Sequence, residues 1–296
     1  MLPSRSKRYA PADEEVVRLV LTTPWQLLLI AIMVLSVLVT IFPRKALLST
    51  LYEQHTLDPL TRSYIKNLYR AETSNIDAAL LLARTQDKTD DITHLEDALL
   101  PATIQGTARQ RQEAFTILFD AYQWQTLHAQ TTVKQNTARA QLTALLQRAG
   151  DQILSKHTLE TFVLAALDLG LKTSGARMVA TLNYADPVTN LQALGARALA
   201  NGQYIAAASC FLMAQRQATS IDQARQLFQR GIETYMAANL FDAALQAARQ
   251  DIGDLGEDLP TLRFLARTAL SAGAPSEAAR YARQLVFANP WATGER

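Results

Sequence analysis

One cysteine, Cys210, stands in a chain of 296 residues, so no internal disulfide can staple the fold. That thiol does not fix a redox compartment either, since an exported chain need not use disulfides. Glycine is sparse, at 11 residues, and runs of alternating Val, Ile and Thr are almost absent, which argues against a sheet protein. A formal charge of +2, evenly spread, is too small to mark nucleic acid as a partner, and none is expected. His55, His94, His128 and His157 fall on four separate segments, with no pair at metal-ligand spacing. The stretch "DKTDDITHLEDA" (87–98) lacks the glycine and the closing acid of a calcium loop, since Ile92 and Ala98 stand there. In "DIGDLGEDLPTL" (251–262), Gly253 and Leu255 occupy places where oxygen ligands belong. Phosphate-binding, nucleophile-elbow and dinucleotide motifs are all missing. The expectation is therefore no enzyme, no metal and no cofactor. Cys210, between Ala207 and Phe211, reads as a packed small hydrophobe.

What the chain does have is apolar and helix-forming: 49% of it is hydrophobic, much of that Ala and Leu, which predicts an all-α fold. The run "PWQLLLIAIMVLSVLVTIF" (24–42) holds 19 residues without a charge. At about 1.5 Å per residue it approaches the roughly 30 Å of bilayer hydrocarbon, so one N-terminal transmembrane helix is expected. Thr23 can cap it, Pro24 suits its first position, Pro43 ends it, and Trp25 sits at an interface. "TIFPRK" follows without a small-residue cleavage pattern, so the segment reads as an uncleaved signal anchor. Arg5, Lys7, Arg8 and Arg18 precede the run, against Arg44 and Lys45 after it. That bias predicts a cytoplasmic segment 1–23 and an exported C-terminal part, periplasmic for a bacterial inner-membrane protein. "ADEEVVRLVL" (12–21) predicts a short amphipathic helix on the membrane surface.

Beyond the run the chain repeats itself. Around Gly202 stand Leu191, Leu194 and Gly195 on one side, with Tyr204, Ala207, Phe211 and Ala214 on the other. The same template fits 159–187 through Leu159, Phe162, Gly170, Gly175 and Leu182, closing at Pro187. It fits 228–250 through Phe228, Tyr235, Asn239, Phe241, Ala244 and Ala248. It fits 262–290 through Leu262, Leu265, Ala266, Gly273, Ala278 and Ala282, closing at Pro290. The turn positions 170, 202, 239 and 273 are spaced by 32, 37 and 34 residues. Over 156–290 this resembles the tetratricopeptide repeat, whose period is about 34 residues. Upstream, 43–155 predicts irregular, degenerate helical repeats. In 76–100 Asp90 replaces the turn glycine, 61–75 resembles the second helix of a partial repeat, and two longer helices fill 106–150. Residues 291–296 form a tail.

The resemblance implies a right-handed helical solenoid of about four repeats whose first helices line a groove that binds peptide segments. Carried over by position, the groove residues are His157, Glu160, Gln192, Gln229, Glu233, Arg263 and Arg267. Arg263 and Arg267 lie one turn apart and could share a carboxylate through charge-assisted hydrogen bonds. Such arrays usually end in a polar capping helix, whereas "WATGER" follows Pro290 directly, so the terminal surface is expected to meet a partner or a continuation of the array. The layout is similar to single-span bacterial inner-membrane repeat proteins. It implies a membrane-anchored protein–protein interaction scaffold for envelope assembly, secretion or, by slight preference, exopolysaccharide export. Its expected partners are envelope-complex subunits, and the lipid bilayer through 24–42. The alternative is a cytoplasm-facing adaptor that recruits soluble enzymes. A third class, a hydrolase or transferase site built from 106–150, would involve His128 or Asp120.

Overall fold

The computed structural model describes residues 24–41, 59–85 and 93–287, and the chain divides into two units, Met1–Leu57 and Asp58–Arg296. The expected surface helix at 12–21, the charges flanking the apolar run, Asp90 and the tail 291–296 lie outside the described residues.

In the first unit, α1 (Pro24–Ile41) is a helix of 18 residues without a charged side chain. Trp25, Leu28, Leu29, Ile30, Ile32, Met33, Val34 and Val37 are all exposed along it. Among the described residues, no helix is long and apolar enough to cross a membrane. Phe42, the last residue of the apolar run, lies beyond them.

The second unit is all helix. Its irregular part comprises α2 (Pro59–Ala71), α3 (Ile76–Thr85), α4 (Thr93–Gln105), α5 (Ala108–His128) and α6 (Thr132–Ala149). Four hairpins follow: α7 (Lys156–Asp168) with α8 (Lys172–Leu182), α9 (Pro187–Ala200) with α10 (Tyr204–Gln215), α11 (Ile221–Ala237) with α12 (Phe241–Asp251), and α13 (Leu259–Ser271) with α14 (Pro275–Phe287). The two helices of each hairpin run antiparallel and pack on one another. Successive hairpins also touch, α7 against α9 and α10, α10 against α11, and α11 against α13. Upstream, α2 packs on α3, and α5 packs on both α4 and α6.

Four near-identical turns set this arrangement. Gly170, Gly202, Asn239 and Gly273 have φ of +79°, +74°, +58° and +73°, the left-handed region that glycine and, next best, asparagine enter cheaply. In each turn the N–H one residue later reaches back five residues: Leu171 to Ala166, Gln203 to Ala198, Leu240 to Tyr235 and Ala274 to Ala269, at 2.8–2.9 Å. This satisfies carbonyls that a helix end leaves orphaned and reverses the chain within three residues. The second helices start straight from the turn, without a side-chain cap at Leu171, Gln203 or Leu240. The first helices are instead capped by Ser155, Asp186, Ser220 and Asp258, whose side chains accept backbone N–H bonds from Thr158, Thr189, Gln223 and Thr261. Pro187 occupies the start of α9, where the missing N–H costs nothing.

Small residues let the paired helices approach. A Cβ added at Gly195 would sit 2.9 Å from the ring of Phe211, which is wholly buried. One at Gly231 would sit 2.9 Å from Leu212, which joins the second hairpin to the third. Of the residues in the repeat template, Tyr204, Phe241 and Ala282 stay exposed, while Phe162, Leu194, Ala207, Phe211, Ala214, Phe228, Tyr235, Ala248, Leu265 and Ala278 are buried.

Gly195→Ala should therefore destabilise the fold. Helix propensity favours alanine by about 1 kcal/mol, but overpacking against a fixed ring costs about 1–3 kcal/mol, so a net loss of about 1 kcal/mol is expected in urea unfolding followed by circular dichroism. Gly202→Ala, where a Cβ would meet nothing within 4 Å, should lose a similar amount, about 1 kcal/mol, through left-handed strain alone.

Candidate functional site

Because each turn has the same geometry, counting back from it places equivalent residues of the first helices on one face. Ten residues before the turn stand Glu160, Gln192, Gln229 and Arg263; six before it stand Leu164, Ala196, Glu233 and Arg267. Three before it stand Leu167, Leu199, Met236 and Leu270, an apolar row that the sequence reading missed. Its signal was available, since the turn positions are readable and each fourth residue along the helix shares a side.

Exposure along this face rises towards the last hairpin. Leu164 and Leu167 are buried at 4% and 1%, whereas Leu270 is 62% exposed and Arg263 and Arg267 are both exposed. His157, at the start of α7, is exposed, and Gln192 and Gln229 are half-buried. Glu160 has a job already. Its carboxylate accepts the Tyr184 hydroxyl at 3.1 Å and the Arg197 guanidinium at 3.0 Å, tying α7 to α9 and to the connection between the first two hairpins. Burial and the neighbouring Glu160 charge push the Tyr184 phenol well above its ordinary range.

A stronger tie joins the third and fourth hairpins. Arg225 of α11 grips Asp258, the cap of α13, with two bonds of 2.7 Å, and also reaches Asp222 at 2.7 Å. Asp258 additionally accepts from the Thr261 N–H at 3.0 Å and its hydroxyl at 2.6 Å. The Arg225 guanidinium, working against burial and joined by the Thr261 bonds, holds the Asp258 carboxyl down at about 2. Among the second helices, Arg216 pairs with the buried Asp251, and Arg249 pairs with Glu277 at 2.9 Å. Of the acids in 251–262, Asp251 and Asp258 are thus occupied by arginines.

Among the described residues, Arg263 and Arg267 make no ion pair and no hydrogen bond through their guanidiniums, and the side chains of Gln229 and Glu233 are likewise unbonded. The sequence-derived residues thus separate. Glu160 is spent on cohesion; Gln229, Glu233, Arg263 and Arg267 share the packed neighbours α11 and α13. His157 and Gln192 belong to the earlier hairpins, α7 and α9.

His128 stacks on Trp124 with ring centroids 4.7 Å apart, and its Nδ1 lies 3.0 Å from the Trp124 carbonyl oxygen. Cys210 is wholly buried and burial pushes its thiol up to about 12, far from a reactive thiolate. Glu113 is raised by burial, against the opposing Arg84 it contacts and the nearby Arg109. Among the described residues no three His, Cys, Asp or Glu side chains gather as a metal site. No protein-family model matches the chain, and no curated protein matches it in sequence.

The Asp258 tie gives a pH signature. A carboxyl held near 2 when folded, against about 4 when unfolded, contributes stability above about pH 4 that is lost as pH falls towards 2. Asp258→Asn keeps a capping side chain without the charge. Its unfolding midpoint should lie below the parent's by a constant amount above pH 5 and converge on it between about pH 4 and pH 2. Parallel curves across that window would show that the Arg225 pair contributes nothing.

Proposed function

We propose that this protein is a membrane-tethered scaffold, with the apolar run 24–42 as its single span and the four hairpins forming a right-handed, tetratricopeptide-like array. In this reading the first-helix face of α11 and α13 holds a segment of a protein partner in a bacterial envelope assembly, secretion or exopolysaccharide-export system. One observation carries the binding role: Arg263 and Arg267 are exposed and unpaired beside the exposed Leu270, whereas Arg197, Arg216, Arg225 and Arg249 each hold a carboxylate. Guanidiniums one helical turn apart, next to an apolar side chain, suit a segment that offers a carboxylate and an apolar residue together.

The tether rests on α1. An uncharged helix with eight large apolar side chains exposed is unstable in water, since each such side chain is worth about 1.5–3 kcal/mol on burial. Its 18 residues reach about 27 Å, and a bilayer thins by a few ångströms at modest cost. Basic residues before the span favour a periplasmic array, and confinement to one membrane raises the effective concentration of membrane-bound partners. Arg44 and Lys45, set directly after the run, favour the second reading, a cytoplasm-facing adaptor that recruits soluble enzymes.

A phosphatase reporter fused after Arg296 should be active if the array is exported; a silent reporter in a correctly inserted chain selects the adaptor. Photocrosslinking from Gln229 in intact membranes should capture a discrete partner, with yield reduced about tenfold or more by Arg263→Glu with Arg267→Glu, because each charge-assisted bond lost is worth about 1.5–3 kcal/mol. Undiminished capture of the same partner would remove this face from the binding role.

A further inference from the structure

The α5–α6 hairpin differs at its turn from the four hairpins that follow it. In those four, six to eight residues separate the last buried side chain of the first helix from the first buried one of the second, as between Ala198 and Ala206 or between Ala269 and Ala278. Between Tyr122 of α5 and Ala138 of α6 there are fifteen, and all of 130–137 are exposed. The excess is about four residues on each helix, a projection of about 6 Å at about 1.5 Å per residue. The projecting end is held in shape. Thr131 caps α6 by accepting the Lys134 N–H at 3.4 Å, and Gln135 Nε2 donates across the turn to the Thr126 carbonyl at 3.2 Å. The stacked Trp124 and His128 rings lie within 13° of parallel. Leu127 and Val133, one on each side of the turn, are 72% and 74% exposed. Charge there is one-sided. The stretch between Asp120 and Asp151 holds no acid, whereas its Lys134, Arg139 and Arg148 make no ion pair among the described residues.

We infer that this projecting end, from Trp124 to Lys134, docks on an anionic lipid surface, with Leu127 and Val133 immersed and Lys134 among the headgroups. Its size argues for lipid over protein. A stable protein interface takes about 20–30 residues a side, more than this convex end offers, whereas a fluid bilayer accepts a small wedge without a matched partner surface. A projection of about 6 Å also agrees with the depth of about 5–10 Å to which apolar side chains sink at the headgroup boundary. Trp124, behind Leu127, is then at headgroup level, which suits an aromatic with an apolar body and a polar N–H. An acid-free end avoids the repulsion a carboxylate meets at anionic headgroups, and each cation near such a surface is attracted to it. The inference rests on the tether proposed above. Two apolar side chains and a lysine hold a free protein only weakly, but a chain anchored in a bilayer meets that surface at high effective concentration.

The test uses the full chain carrying Cys210→Ala, reconstituted in vesicles of mixed phosphatidylglycerol and phosphatidylcholine. A nitroxide is attached singly through Val133→Cys, through Leu29→Cys in the apolar run, or through Gln217→Cys in the exposed connection after the second hairpin. Its accessibility to oxygen is then compared with its accessibility to a water-soluble nickel chelate. The Leu29 site reports the tether and the Gln217 site reports open water. The oxygen-to-nickel ratio at the Val133 site should exceed that at the Gln217 site several-fold, and Leu127→Asp with Lys134→Glu should abolish the difference. Leu127, Val133 and Lys134 are all exposed, and circular dichroism checks that each variant keeps its helicity. If the Val133 site is as open to nickel as the Gln217 site while the Leu29 site is lipid-embedded, the inference fails and the tether stands. If the Leu29 site is open to nickel as well, both fall together. Equal shielding in phosphatidylcholine alone overturns the anionic assignment. Shielding that appears only in native membranes, or nitroxide–nitroxide coupling that vanishes on dilution, puts a partner protein or a second copy on this end and overturns the inference too.

Discussion

Two helices joined by three residues can fold back on each other only if the connecting backbone enters the left-handed region, and every other regularity in the second half of this protein follows from that requirement. The turn residue must tolerate φ near +60° to +80°, which restricts it to glycine or, at position 239, asparagine. Once there, the backbone N–H that follows is aimed at a carbonyl five residues earlier, and both helix ends are fixed relative to each other. Register is then no longer adjustable. Gly195 must face Phe211, because rotation of either helix would break the turn bond.

A hairpin so fixed cannot bury its apolar faces alone, so cohesion passes to contacts between neighbours. Four polar ties in the second half have this form: Glu160 with Arg197, Arg216 with Asp251, Arg225 with Asp258, Arg249 with Glu277. Each links residues roughly one repeat apart in sequence and none closes a hairpin on itself. Exposed pairs of this kind are individually weak, but Asp251 and Asp258 are buried, and losing the arginine there would strand a charge. Their main effect is on which neighbour is accepted, since a hairpin shifted by one helical turn would set these charges against nothing.

The sequence made the turns legible because a left-handed residue must be written as glycine or asparagine at nearly constant spacing. All four positions read from the repeat pattern have positive φ. Helix pairing was legible for the same reason. The ties between hairpins were not, because Arg225 and Asp258 are separated by 33 positions and nothing local marks them as partners. Glu160 was read as a groove residue from its position alone, and its bond to Tyr184 depends on the path of the loop between α8 and α9, which the repeat template does not specify. In the irregular part, the contacts of Gln110 with Asp77 and of Gln141 with Glu96 connect helices by long-range pairs that no periodicity encodes.

Cohesion and recognition thus draw on the same residue types, and the structure separates them by position. Between successive hairpins, Glu160 and Arg249 are consumed internally, and apolar positions such as Ala248 are covered. On the last described hairpin, Arg263 and Arg267 of α13 remain exposed. An exposed guanidinium keeps its hydration and gives little to stability, so removing it costs the fold almost nothing. Brought against a carboxylate beside apolar surface, the same group loses water on both partners and the bond becomes selective for geometry.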